Sequence, residues 1–204
     1  MISILDYGSG NINAIRNIYE RLDIPCEFIS SSNEIEKADR VILPGVGAFD
    51  ETVLTLREKG IIETLNQRVI KGDLPILGIC VGMQMLGNSS EEGSLEGLGW
   101  IPGEVKKFDK NLIQGKPKLP HLGWNSISVV KDNPLFNGID EEIGFYFVHS
   151  YYFTCKDTKN VLTTTDYGIT FHSAIAKGNI FGVQFHPEKS HDNGIQLLRN
   201  FAEL

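Results

Sequence analysis

What this chain has little of narrows the field first. It holds only three cysteines, Cys26, Cys80 and Cys155, in 204 residues. An odd and sparse set argues against a disulfide framework and for a reducing compartment. The sequence has no block of Lys or Arg, and its formal net charge is −7. An acidic chain without such a block is poorly matched to a phosphate backbone or an anionic bilayer, so neither nucleic acid nor membrane is an expected partner. The only basic stretch, Lys106, Lys107, Lys110, Lys116 and Lys118, reads as a solvated strand edge, with a partner-binding face as the alternative. No apolar run approaches the ~20 residues of a membrane span. The opening residues 1–6 follow a strand pattern and lack the basic leader of a signal peptide. A cytoplasmic location is the expectation.

The composition that is present is ordinary for a globular chain, with 41% hydrophobic and 22% charged residues. The length suits a single α/β domain over residues 1–204, large enough for a sizeable core. In the first half, apolar runs alternate with helical patterns. Residues 2–7, 26–29, 40–43 and 74–79 read as strands. Residues 11–21, 49–71 (broken near Gly60) and 81–86 read as helices, the first with Ile12, Ile15, Tyr19 and Leu22 on one face. This βαβα order with short connections predicts a mostly parallel central sheet with flanking helices, a flavodoxin-like arrangement. In the second half, residues 104–108, 126–130, 144–148, 161–165, 173–176 and 180–185 read as strands, several of them antiparallel additions to that sheet. Residues 192–204 read as a closing helix with Ile195, Leu198 and Phe201 inward.

Three local patterns carry chemistry. In Gly78-Ile79-Cys80-Val81-Gly82 a buried strand runs directly into a helix, with a nucleophile between two glycines. That is the form of a nucleophile elbow, in which glycines permit a tight, strained turn. The helix start would favour a thiolate on Cys80, and the Val81 N–H would face a developing oxyanion. A buried small cysteine beside packing glycines is the alternative. His186-Pro187-Glu188 follows the last strand. A thiol nucleophile needs a base, and the base an orienting carboxylate. In an extended His-x-Glu both side chains leave the same side of the backbone, and Pro187 stiffens the link. Taken alone, the tripeptide also fits a surface turn. Pro44-Gly45-Val46-Gly47 again follows a strand, and its backbone N–H groups suit the other half of an oxyanion hole, or a plain strand-to-helix turn. All three lie at the C-terminal ends of predicted strands, where open α/β sheets place their sites.

Together these residues resemble the class I, triad-type glutamine amidotransferases, over essentially the whole chain. Gly78 to Gln84 (Gly-x-Cys-x-Gly-x-Gln) and His186-Pro187-Glu188 carry the likeness. Asp6-Tyr7-Gly8-Ser9-Gly10-Asn11, Pro44-Gly45-Val46-Gly47-Ala48-Phe49, Gly97-Leu98-Gly99, Pro120-His121-Leu122-Gly123-Trp124-Asn125 and His149-Ser150-Tyr151 narrow it to the glutaminase subunits of histidine biosynthesis. The resemblance implies Cys80 as nucleophile, His186 as proton carrier and Glu188 as its holder. It implies an oxyanion hole from Val46, Gly47 and Val81. It implies glutamine contacts from Gln84, Glu92, Ser150 and Tyr151. His121, Trp124 and Asn125 would lie near a (β/α)8-barrel cyclase/synthase subunit, joined as a heterodimer and fed ammonia through a channel. No cofactor and no metal are implied. Val81 stands where Leu is more usual, Leu122 where Met is frequent, and Trp100 is bulkier than expected. These departures leave room for a paralogous subunit that serves amino-sugar synthesis for surface glycans. A stand-alone cysteine hydrolase on the same fold is a further competing reading, and a catalytically silent regulatory subunit is another.

His121, His149, His172 and His191 show no metal-ligand spacing. The Asp6-Tyr7-Gly8-Ser9-Gly10 stretch lacks the full dinucleotide or P-loop pattern and reads as a turn. Cys26 and Cys155 read as small buried hydrophobes.

Overall fold

The structure, a computed structural model, describes residues 1–114 and 118–204, so Lys116 of the basic stretch lies outside it. The first half alternates strand and helix. The elements are β1 (Ile2–Leu5), α1 (Ile12–Arg21), β2 (Cys26–Ile29), α2 (Ser32–Ile35), β3 (Arg40–Gly45), α3 (Phe49–Glu58), α4 (Ile62–Asn66), β4 (Ile76–Cys80) and α5 (Val81–Gln84). β1 lies between β2 and β3, and β4 lies beside β3, all parallel. Every residue of β1 and β4 is buried. Strands covered by helices on both faces need such continuous apolar runs.

The second half supplies β5 (Ser89–Ser90), β6 (Gly103–Lys107), β7 (His121–Asn125), β8 (Ser128–Val129), β9 (Phe145–His149), β10 (Tyr151–Cys155), β11 (Val161–Asp166), β12 (Thr170–Lys177), β13 (Ile180–Val183) and α6 (His191–Glu203). Among the described residues eleven strands form one sheet, with the main path β2-β1-β3-β4-β13-β12-β10-β6-β5. β13 runs parallel to β4, whereas β12, β10 and β11 join antiparallel. The mixed α/β architecture is the expected one. Lys106 and Lys107 lie on β6 beyond its short pairing with β5, and Lys106 bonds Glu104 at 3.0 Å.

Five local readings change. β7 and β10 are strands that the apolar pattern did not mark, because each presents polar or aromatic side chains at alternate positions. β9 pairs with β7 in a separate two-stranded ribbon. Its Phe145 and Phe147 are fully buried, and Phe145 stacks on Phe185 at 3.8 Å, so the ribbon packs over the end of the main sheet. The helix expected over residues 81–86 is the single turn α5. It ends in tighter i→i+3 turns, with the Leu86 and Gly87 N–H groups donating to Met83 and Gln84, and beyond them the carbonyls of Met85, Leu86 and Gly87 accept from the Leu98, Ile101 and Gly99 N–H groups. The inward face of α1 holds Ile15, Ile18 and Tyr19, and the Tyr19 hydroxyl donates to the Leu198 carbonyl of α6 at 3.0 Å. Cys155 is buried as expected, whereas Cys26 is only partly so.

Candidate active site

Three adjacent parallel strands, β3, β4 and β13, bring their C-terminal ends to one edge of the sheet. The site grows from that edge. β4 ends at Cys80, whose backbone has φ 55° and ψ −111°. A non-glycine residue held at positive φ is strained by roughly 1–3 kcal/mol. The flanking glycines show why the turn is so tight. A methyl group at Gly82 would overlap the Leu43 carbonyl oxygen, and one at Gly78 would sit 2.7 Å from the Gly82 carbonyl oxygen. Only a backbone without Cβ lets α5 sit so close to β3 and β4. The single turn of α5 leaves the proton chemistry of the site to neighbouring side chains.

Those side chains come from the segment after β13. His186 Nδ1 lies 2.8 Å from Glu188 Oε1, and both side chains are almost fully buried. The local form differs from the extended His-x-Glu expected. His186 is extended, but Pro187–Lys189 is a 3-10 turn, with Pro187 at its start. The turn swings the carboxylate back under the ring. It is held by Ser190 Oγ, which donates to the His186 carbonyl at 2.6 Å, and by the His186 N–H, which donates to Tyr146 of β9 at 2.9 Å. The other ring nitrogen, Nε2, is buried without a well-formed hydrogen bond, and its neighbour is the Cys80 thiol. Burial works to lower the pKa of His186, but contact with Cys80 and Glu188 outweighs it and raises the value to about 10. An imidazole so placed is a proton acceptor for the thiol.

A cavity of about 220 Å³ opens at Cys80. Val46, Gly47, Val81, Gln84, Glu92, Ser150, Tyr151 and His186 line it, together with His149 and Lys189. Glu188 sits behind His186. The Gln84 amide nitrogen donates to the Tyr151 carbonyl at 3.1 Å and to Gln184 Oε1 at 3.0 Å, which leaves the Gln84 side-chain carbonyl for a ligand. Glu92 reaches the wall because its Oε2 accepts from the Phe49 N–H at the start of α3, at 2.9 Å. The Val46 N–H does not face the thiol freely. It donates to Ser9 Oγ at 3.0 Å, and that hydroxyl lies 3.0 Å from the Val46 carbonyl.

The expected partner-facing residues lie apart from the cavity, on β7. Leu122 and Trp124 point outward, 53% and 44% exposed. Trp124 stacks on His191 with the rings 5.4 Å apart. His121 points inward and is buried, and Asn125 is its neighbour on the same face. His172 Nδ1 accepts from the Cys155 N–H at 3.0 Å.

Several contributors escaped the sequence. Gln184 is fully buried two residues before His186, and its amide nitrogen lies 3.7 Å from Cys80 Sγ. A polar residue inside the apolar run around β13 was the available signal. Ser9 braces the loop after β3 and Tyr7 the end of the strand itself, the Tyr7 hydroxyl donating to the Pro44 carbonyl. Only the fold brings the first strand's turn against that loop.

A family model described as "Glutamine amidotransferase class-I" matches residues 3–204. A protein named imidazole glycerol phosphate synthase subunit HisH from Bdellovibrio bacteriovorus is 49% identical over 206 residues, covering 100% of both chains. A HisH subunit from Leptospira borgpetersenii is 46% identical over 204 residues, again covering 100% of each. Among solved structures, that of PurLQS from Thermotoga maritima superposes with a TM-score of 0.73 at 18% identity, covering 99% of this chain and 97% of that one. A crystal structure titled glutamine amidotransferase gives a TM-score of 0.71 at 19% identity, covering 100% and 99%. At those identities the structural likeness speaks for the fold alone.

Proposed function

The chain belongs to the class-I glutamine amidotransferase family, and from that membership we propose that it is the glutaminase subunit of an imidazole glycerol phosphate synthase, working on a single domain. Cys80 Sγ attacks the side-chain amide carbon of glutamine. The C–N bond breaks, and the proton held by His186 leaves with the nitrogen as ammonia. Water then attacks the thioester, with His186 taking its proton, and glutamate and the free thiol are restored. Glu188 holds the imidazole in the orientation that presents Nε2 to the thiol. Gly47 and Val81 N–H groups stabilise the tetrahedral oxyanion. Val46 joins them once its N–H is released from Ser9. Gln84, Glu92, Ser150 and Tyr151 hold the glutamine. The ammonia passes to a (β/α)8-barrel synthase subunit docked against the Leu122 and Trp124 face, for histidine biosynthesis.

The observation that carries this reading is the buried His186–Glu188 pair at 2.8 Å, with Nε2 free toward a cysteine at a strained elbow. Glutamate release by the purified chain, alone and with the barrel subunit of the same cell plus its ribotide ligand, tests it. A large rise on adding both is expected. Glutamine hydrolysis without any response to that subunit would redirect the partner to a paralogous synthase. No hydrolysis under any condition would overturn the glutaminase reading.

A further inference from the structure

At the cavity wall and just behind it, two buried histidines touch each other in a way the triad does not use. His149 Nδ1 lies 2.7 Å from the Tyr151 carbonyl oxygen. His149 Nε2 lies 2.9 Å from His121 Nδ1. His121 Nε2 lies 3.2 Å from the Asn125 amide nitrogen, which also donates to the Asp166 carbonyl at 2.9 Å. The two ends of this chain set its direction. A carbonyl only accepts and an amide nitrogen only donates. Asn125 therefore donates to His121 Nε2, His121 donates through Nδ1–H to His149, and His149 donates through Nδ1–H to Tyr151. Each ring then carries one proton, on Nδ1, and every contact is satisfied. A second proton on either ring would set two donors against each other.

The surroundings favour the same state. His121 stacks between Phe147 at 4.7 Å and Tyr167 at 4.0 Å. His149 packs at the edges of Phe108 and Phe171, at 5.4 and 5.2 Å. Burial pushes the pKa of His121 down to about 4; for His149, burial and then the neighbouring His121 push it down to about 3. The terminus of the chain is functional in position, because the Tyr151 carbonyl also accepts from Gln84, and Tyr151, Gln84 and His149 all line the cavity at Cys80.

We infer that His121 and His149 form a one-directional hydrogen-bonded dyad that positions the Tyr151 backbone for glutamine, so that both act as positioning residues, His149 from the cavity wall and His121 from behind it. The identity of the ligand rests on the glutaminase reading above. A purely structural dyad would serve as aromatic filling, and two substitutions separate the roles. His121→Phe keeps the stacked ring and removes both nitrogens. His121→Gln loses the ring but keeps one donor and one acceptor. In the complex with the synthase subunit, His121→Phe is expected to raise KM for glutamine by about tenfold, the worth of one well-placed hydrogen bond. Its kcat should change much less, and His121→Gln should lie nearer to wild type. The reverse order, with Phe nearer to wild type than Gln, overturns the inference. Nitrogen-15 NMR of the wild-type protein at pH 7 gives a second test that needs no variant to fold. Both rings should be neutral with the proton on Nδ1, and an Nε2 proton or a charged ring on either histidine overturns the dyad. Failure of the wild-type complex to release glutamate defeats the functional reading instead, and the NMR spectrum then still decides the dyad.

Discussion

The hydroxyl of Ser9 lies 3.0 Å from both the N–H and the carbonyl of Val46, accepting from one and donating to the other. One side chain on the turn after β1 thereby holds the loop after β3 in a single orientation. On the proposed mechanism the Val46 N–H is an oxyanion donor kept out of use. Ser9→Ala removes the latch, and the glutaminase turnover of the isolated chain is expected to rise by tenfold or more, since one such donor is worth roughly 10²- to 10³-fold. Steady-state assays without the partner measure this. An unchanged or lower basal rate would refute the latch.

Glu188→Gln keeps the size of the side chain but removes the charge 2.8 Å from His186 Nδ1. A loss in kcat of roughly 10²- to 10⁴-fold is expected, the range of a general acid–base contribution. The same change should move the NMR titration of His186 down from about 10. Because the folded value lies above that of an unfolded histidine, about 6.5, the stabilisation that His186 draws from Cys80 and Glu188 is complete below that pH. It is lost as pH rises through about 10. Thermal melts from pH 6 to 10.5 should therefore fall more steeply for wild type than for Glu188→Gln.

The positive φ of Cys80 makes two inactive variants unequal in stability. Cys80→Ala keeps the strained backbone, whereas Cys80→Gly relieves it. Strain relief of roughly 1–3 kcal/mol exceeds the roughly 0.5–1 kcal/mol entropic cost of glycine. Cys80→Gly should thus be the more stable of the two by about 1 kcal/mol in urea titrations, and a Cys80→Gly variant less stable than Cys80→Ala by roughly the 0.5–1 kcal/mol cost of glycine would show that the elbow stores no strain. Gly82→Ala forces a methyl group onto the Leu43 carbonyl and should destabilise by about 1–3 kcal/mol.

Acid should weaken the fold through the dyad of His121 and His149, whose pKa values are lowered by burial to about 4 and about 3. Below pH ~6.5 the unfolded chain takes up protons that the folded dyad refuses. Their stabilisation is therefore complete above that pH and is lost as pH falls through the folded values. The melting temperature should drop between pH 6.5 and 4, and the drop should be shallower in His121→Phe. Parallel acid limbs for the two proteins would contradict the lowered values.

Much of the architecture was legible from residues 1–86, and the chemistry from those residues with His186-Pro187-Glu188, because both depend on short-range rules. A buried strand reads as an apolar run, as in Ile76–Cys80. A strained turn needs glycines, and Gly78 and Gly82 stand on either side of Cys80. The pairing of Cys80 with His186 required only that both end neighbouring parallel strands. The second half was less legible. The mixed polar and aromatic pattern of His121–Asn125 and Tyr151–Cys155 hides strands whose inner faces are not simply apolar.

By itself, the sequence determined which residue types are available and which local geometries they permit: an elbow at Cys80, a base and carboxylate at His186 and Glu188, a parallel βα half, and a family. Tertiary structure alone decided which groups meet. Ser9 reaches Val46 across 37 residues, His121 reaches His149 across 28, and Gln184 reaches Cys80 across 104. Alternation along a strand tells which side chains share a face, but not what lies opposite them. That is set by how the β7–β9 ribbon and the three strand ends pack together, and a hydrogen bond forms or fails within a few tenths of an ångström of that packing.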